Sequence, residues 1–203
     1  MHTLNPMMRR SLVWGAALTA ALLMSAGCSG TPGRSPTDTT PSSEVSRVTG
    51  TPNGPFTLGR GQGFDTSGAF LSITTCDSPH DYSPGLTFAN VPLGTAQLAL
   101  SMVDLQNNKI HWLQIDIPAT APGLQTHTLT PGARELLNDF GEATYDGPCP
   151  PAGHTHRYRL TLYALKAPLP KSFGEHSSPR ASLSDIQSRS AATAVLVAPY
   201  TRH

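Results

Sequence analysis

Charge is scarce in this sequence. Asp, Glu, Lys and Arg make up 13% of its 203 residues, and the formal net charge is +1. There is no basic stripe, and the aromatic residues, at 6%, form no interleaved stacking platform, so a nucleic-acid-binding surface is excluded. Long hydrophobic runs are also missing: the apolar stretch Leu12–Met24 falls short of the roughly 20 residues that a bilayer-spanning helix needs. There is no internal repeat, and no GxSxG nucleophile elbow. Cysteine occurs only three times, whereas Gly (18) and Pro (19) are plentiful, which favours strands and turns over a helix bundle.

The N-terminal residues read as an export signal. Arg9 and Arg10 supply the positive region, Leu12–Met24 the apolar one, and Ser25, Ala26 and Gly27 the small residues ahead of Cys28. The pattern resembles a bacterial lipoprotein signal, with residues 1–27 removed and Cys28 carrying lipid; Ser25 departs from it by standing where leucine is usual. The other reading is a plain secretory signal and a released protein. Residues 28–55 are rich in Ser, Thr, Pro and Gly and cannot bury enough apolar surface to offset ordering, so they are expected to be a disordered tether. The folded domain is then 56–203. An exported chain meets an oxidising compartment, which makes a Cys76–Cys149 disulfide the economical use of the remaining pair; two free thiols are the alternative.

Within the domain, a loop-like stretch from Phe56 leads to a predicted first strand at Phe70–Ile73, and Leu86–Phe88 forms a second. Ala96–Asp104 alternates, with Leu98, Leu100, Met102 and Asp104 on one face. His111–Ile117 alternates too, placing His111 with Leu113, Ile115 and Ile117. Ala133–Phe140 is predicted as a short helix with Leu136, Leu137 and Phe140 inward. The stretch Tyr145–Leu165 (YDGPCPPAGHTHRYRLTLYAL) passes from a stiff Gly-Pro turn into a strand with His156, Tyr158, Leu160, Leu162 and Ala164 on one face. A final helix is predicted from Ile186 to about Val197, capped by Ser184 or Asp185.

Asp104, His111 and His156 thus each stand at a strand end, facing inward. Buried titratable groups need partners, and one shared site satisfies all three. A carboxylate orients an imidazole and favours its charged form, which suits a small anion such as phosphate or carboxylate. Two other readings use overlapping residues. His154, His156, His111 and Asp104 form a possible metal-ligand set. Ser83 beside His111 could act as a hydrolytic nucleophile, although Ser-Pro is ordinary turn chemistry.

Four stretches together resemble the phosphatidylethanolamine-binding protein (Raf kinase inhibitor protein) family in its bacterial branch: CDSPHDYSPGLTF, the Asp104 strand with HWLQIDIP, YDGPCPPAGHTHRYRLTLYAL, and the predicted terminal helix with PYTR. The resemblance implies a mainly β fold, an antiparallel β-sandwich with short peripheral helices. It also implies one anion pocket, with Asp104, His111, Gly147, Pro148, Pro150, Pro151, His156 and Tyr158 matching the family's motifs, and Asp77 and Tyr82–Pro84 at the rim. Departures are plain: an Asp-Pro-Asp-Ala-Pro segment is reduced to Asp104-Leu105-Gln106-Asn107-Asn108, implying a looser, less acidic wall. Ser78 replaces a Gly and Phe88 a Trp.

The expected protein is therefore a membrane-anchored envelope lipoprotein that binds a small anion or phospholipid head group, without catalysis, metal or cofactor. A bridge through Cys149 would make the Gly-Pro loop a fixed wall. The alternatives are a protein-interaction module that inhibits an envelope protease or other enzyme, and a weak hydrolase.

Overall fold

The strand Gln97–Asp104 is buried at all eight positions, so both of its faces must be covered. A computed structural model describes residues 54–203 and shows how. In chain order the elements are β1 (Thr57–Arg60), a 3-10 turn (Ser72–Thr74), β2 (Leu86–Ala89), β3 (Gln97–Asp104), β4 (Ile110–Pro118), β5 (Gly123–Leu124), β6 (Arg134–Glu135), β7 (Thr155–Leu165), α1 (Pro179–Ser188) and β8 (Ser190–Thr201). Five strands form one antiparallel sheet in the order β6-β4-β3-β7-β8, and β1-β2-β5 form a smaller one.

Leu98, Leu100 and Met102 of β3 pack with Leu160 and Leu162 of β7 against Leu58, Leu86 and Phe88 of the small sheet. On the other face, Ala99 and Val103 join Leu113 and Ile115 under Leu183 and Ile186 of α1. The fold is thus mainly β, as expected, with α1 the sole α-helix among the described residues.

Four local expectations are corrected. Phe70–Ile73 is not a strand: Phe70 makes a single bridge to Phe64, and the 3-10 turn follows. The loop-like stretch after Phe56 instead contains β1. Ala133–Phe140 is not a helix but β6 followed by turns, with Leu137 and Phe140 exposed. Asn138, 1% exposed, organises those turns: its Oδ1 accepts from the Phe140 and Glu142 N–H groups, and its amide donates to the Thr144 carbonyl. Such local side-chain bonds compete with helix. The final helix starts earlier, at Pro179 behind an N-cap from Ser178, and ends at Ser188. The segment predicted to continue it is β8, because Ala194, Leu196, Ala198 and Tyr200 alternate inward against β7.

β8 is an edge strand. Its outer rim is partly covered: the Val197 carbonyl accepts from Arg60 Nη2 at 2.8 Å and the Pro199 carbonyl from the Phe70 N–H at 3.0 Å.

Candidate functional site

The end of the large sheet where β3, β4 and β7 meet gathers the ionisable residues. Asp104 and Tyr158 are opposite one another in the β3–β7 ladder. His156, two residues before Tyr158 and on the same face, places Nδ1 2.7 Å from Asp104 Oδ2. Asp104 is 1% exposed. Its second oxygen accepts from the Gln106 N–H at 2.8 Å. That bond folds the β3–β4 hairpin together with Asn107 Oδ1, which accepts from the Lys109 N–H, and Gln106 Oε1, which accepts from the Arg157 N–H. The hairpin that lost its two prolines is therefore held by side-chain-to-backbone bonds instead.

His111 arrives by a different route from the one its pattern predicts. The β3–β4 register shifts between Met102, opposite Trp112, and Val103, opposite Ile110, which leaves His111 as the extra residue of a β-bulge. Its ring meets Tyr158 edge-on at 5.2 Å, while Leu113 points to the opposite face of the sheet. A second irregularity, Asp116 at φ 58°, returns Ile117 to the inner face. The predicted grouping of His111 with Leu113 and Ile115 is thus corrected, although the bulge still delivers His111 to Tyr158.

His111 Nδ1–H donates to the Asp146 carbonyl at 2.9 Å, and the Asp146 N–H donates back to the His111 carbonyl. Nε2 is then the free ring nitrogen. Burial pushes the His111 pKa down, against the opposing pull of the Asp146 carbonyl and the Asp104 charge. The Tyr158 hydroxyl is buried; the Cys149 backbone N–H approaches its oxygen, and its own proton has no protein acceptor. Burial, then the neighbouring Asp104 charge, pushes its pKa up, so it stays a neutral O–H.

The Gly-Pro loop is tied to segment 74–81 at four points. Cys76 and Cys149 form a disulfide with Cα atoms 5.4 Å apart. The Cys76 N–H donates to the Pro148 carbonyl, the Gly147 N–H to Asp81 Oδ2, and the Tyr145 hydroxyl to the Thr74 carbonyl. Pro148 and Pro150 are buried and Pro151 is exposed. Pro151 instead opens a turn, its carbonyl accepting from the His154 N–H. The His154 ring is exposed and turned to the Ala152 carbonyl, so it does not join the other histidines. Asp77 is taken up by structure: its two oxygens accept from Tyr200 and Arg202. Ser83 lines a separate cavity whose wall does not include His111.

Asp146, in an Asp-Gly pair, and Asp81, in a Pro-bounded loop, carry no sequence signal beyond turn chemistry. Both carboxyl groups have raised pKa values. For Asp146, burial and then the Asp81 charge push it from 3.8 to about 6. A raised carboxyl pKa contributes stability at low pH that is lost as pH climbs through the folded value. Asp146→Asn keeps the backbone carbonyl that holds His111. The variant is expected to be more stable than the parent above about pH 6, and to lose that gain as pH falls toward 3.8. Urea unfolding across that range checks this; a gain equal at all pH values would contradict it. His111 has the opposite sign: its pKa is depressed, so stability falls as acid protonates it.

Comparison with known proteins places this arrangement. Residues 63–201 match the family described as phosphatidylethanolamine-binding protein. A UPF0098 protein of Aquifex aeolicus is 39% identical over 101 residues, which span 46% of this chain and 58% of that protein. LppC of Mycobacterium tuberculosis, whose name describes it as a candidate lipoprotein, is 40% identical over 92 residues, 43% of this chain and 45% of that one. The matches thus span about half the length of each of these two relatives. The crystal structure of Escherichia coli YbcL, described as a member of the mammalian PEBP family, superposes with a TM-score of 0.64 at 26% identity, covering 74% of this chain and all of that one.

Proposed function

Since the chain belongs to the phosphatidylethanolamine-binding protein family, we propose that its Asp104–His156–His111–Tyr158 cluster binds a small phosphate-type anion, free or as a head group, without catalysis. The observation that carries this reading is a set of polar groups left over after the protein has satisfied the rest. Asp104 occupies His156 Nδ1 and leaves Nε2 free; Asp146 does the same for His111; the Tyr158 O–H is unspent.

The tautomers assign the roles. With Nδ1–H donating to Asp104, His156 offers a second N–H, on Nε2, when it is imidazolium. Neutral His111 offers an Nε2 lone pair, which suits the P–OH of a protonated phosphate. Tyr158 donates to an unprotonated oxygen. The Gly147, Pro148 and Pro150 part of the loop closes the side of the pocket, with Pro151 in the turn beyond it, and the Gly147 N–H, already donated to Asp81, serves as a brace and not as a ligand donor.

Titration with inorganic phosphate and phosphoethanolamine, followed by NMR, tests this. His156→Gln and Tyr158→Phe should each lower affinity about tenfold or more, the cost of losing a hydrogen bond to a charged group. Unchanged affinity in both would sink the pocket. Phosphoethanolamine binding more tightly than phosphate would favour a head group.

We also place the chain on an envelope membrane through lipid at Cys28. Residues 1–27 and the 28–53 part of the tether lie outside the described residues. Support comes from the signal-like N-terminus and the lipoprotein description of LppC. Among the described residues, no helix is long and apolar enough to cross a membrane. Detergent-phase partitioning of the full chain, abolished in Cys28→Ala, is the expected result.

A further inference from the structure

On the far side of the Gly147 brace lies a cavity of about 400 Å³ that the phosphate reading does not use. Its wall includes Asp81, Glu135, Gln114 and Trp112, with His80 and His127 at the sides, and it contains no Lys or Arg. The volume falls within the range of small-molecule sites.

Two acceptors in this wall lack any protein donor. Gln114, 1% exposed, leaves Oε1 unpartnered, and Asp81 Oδ1 is likewise buried and unpaired. Buried polar atoms are normally satisfied, and an orphaned one costs free energy. Glu135 adds a carboxylate, which accepts from the Trp112 indole N–H through one oxygen at 2.7 Å. Burial raises the pKa of both Asp81 and Glu135, so the cavity is short of positive charge. Such a wall repels anions and accepts donors. No group of three His, Cys, Asp or Glu is placed to hold a metal ion among the described residues.

We infer that this cavity is a second binding site, separate from the phosphate pocket, for a small ligand bearing a primary ammonium group. An R–NH₃⁺ supplies N–H donors for the second, open oxygen of Glu135 and a charge for the two carboxylates. A quaternary ammonium supplies only the charge, and a sugar only the donors. Requiring both features distinguishes this class from its neighbours.

The test uses the full chain with putrescine as probe, and tetramethylammonium and glucose as comparators. The Trp112 indole N–H, bonded to Glu135, is the local NMR reporter. Asp81→Asn and Glu135→Gln remove charge with little disturbance. Asn keeps an acceptor for the Gly147 N–H and tolerates the positive φ of 44° at this position; Gln keeps one for the indole. Putrescine should shift the reporter saturably, and each variant should weaken that binding about tenfold. His156→Gln should leave it unchanged. The inference is overturned if putrescine leaves the reporter unmoved, if tetramethylammonium or glucose binds as well, if both wall variants bind normally, or if His156→Gln abolishes the effect.

Discussion

Replacing both Cys76 and Cys149 with serine should lower the unfolding free energy by about 4 kcal/mol. The bridge closes a loop of 73 residues, and the chain-entropy account gives roughly that figure for a loop of this size. The loss is large against the 5–15 kcal/mol typical of a domain, so it should appear as a fall of about 2 M in the urea midpoint. The double variant should still fold. Its Gly-Pro loop keeps the Cys76–Pro148 backbone bond, the Gly147–Asp81 bond and the Tyr145–Thr74 bond. A loss below about 1 kcal/mol would show that those three bonds already restrain the chain.

Gly147→Ala should be nearly as damaging and should reach the pocket more directly. A Cβ at this position would lie 2.0 Å from Asp81 Oδ1, 2.6 Å from the Thr74 carbonyl oxygen and 2.9 Å from Thr75 Cα. Two of those neighbours are backbone, held by the 3-10 turn and its hydroxyl bonds, so they cannot rotate away. The loop must move, breaking the Gly147–Asp81 bond and leaving a partly buried carboxylate without its donor. A cost of about 3 kcal/mol is expected, at the upper end for overpacking. Phosphate affinity should fall with it, because His111 is positioned through neighbouring Asp146. Combining this change with Asp81→Ala, which clears the nearest clash, should recover part of the stability in urea unfolding. No recovery would place the strain on the Thr74–Thr75 backbone.

How far the sequence could be read depended on how regular each strand is. β3 pairs with β7 residue by residue, without a register shift, from Gln97–Leu165 to Asp104–Tyr158. Simple alternation therefore located Asp104, His156 and Tyr158. It failed at β4, because a bulge leaves no mark in a two-residue period: His111 and Leu113 look equivalent and point to opposite faces. The alanines of β8 suit a helix, and only pairing with β7 decides against it. The segment after Pro131 has helical spacing, yet its Asn138 is spent on backbone bonds and only Leu136 of its three large apolar residues is buried. Asp81 and Asp146 could not be found from pattern at all. Both follow turn chemistry locally, and their perturbed carboxyls arise from burial where two loops meet, the Gly147 N–H reaching Asp81 from 66 residues away in sequence.

The covered rim of β8 also bears on self-association. An edge strand offers its outward N–H and C=O groups to any second chain, and that is how sheets grow into aggregates. Here the Val197 carbonyl is occupied by the Arg60 guanidinium, the Pro199 carbonyl by the Phe70 N–H, and Pro199 has no N–H to offer. A neighbouring copy would have to evict both groups to add a strand. The C-terminal half of β8 is thus closed to the strand addition by which sheets polymerise.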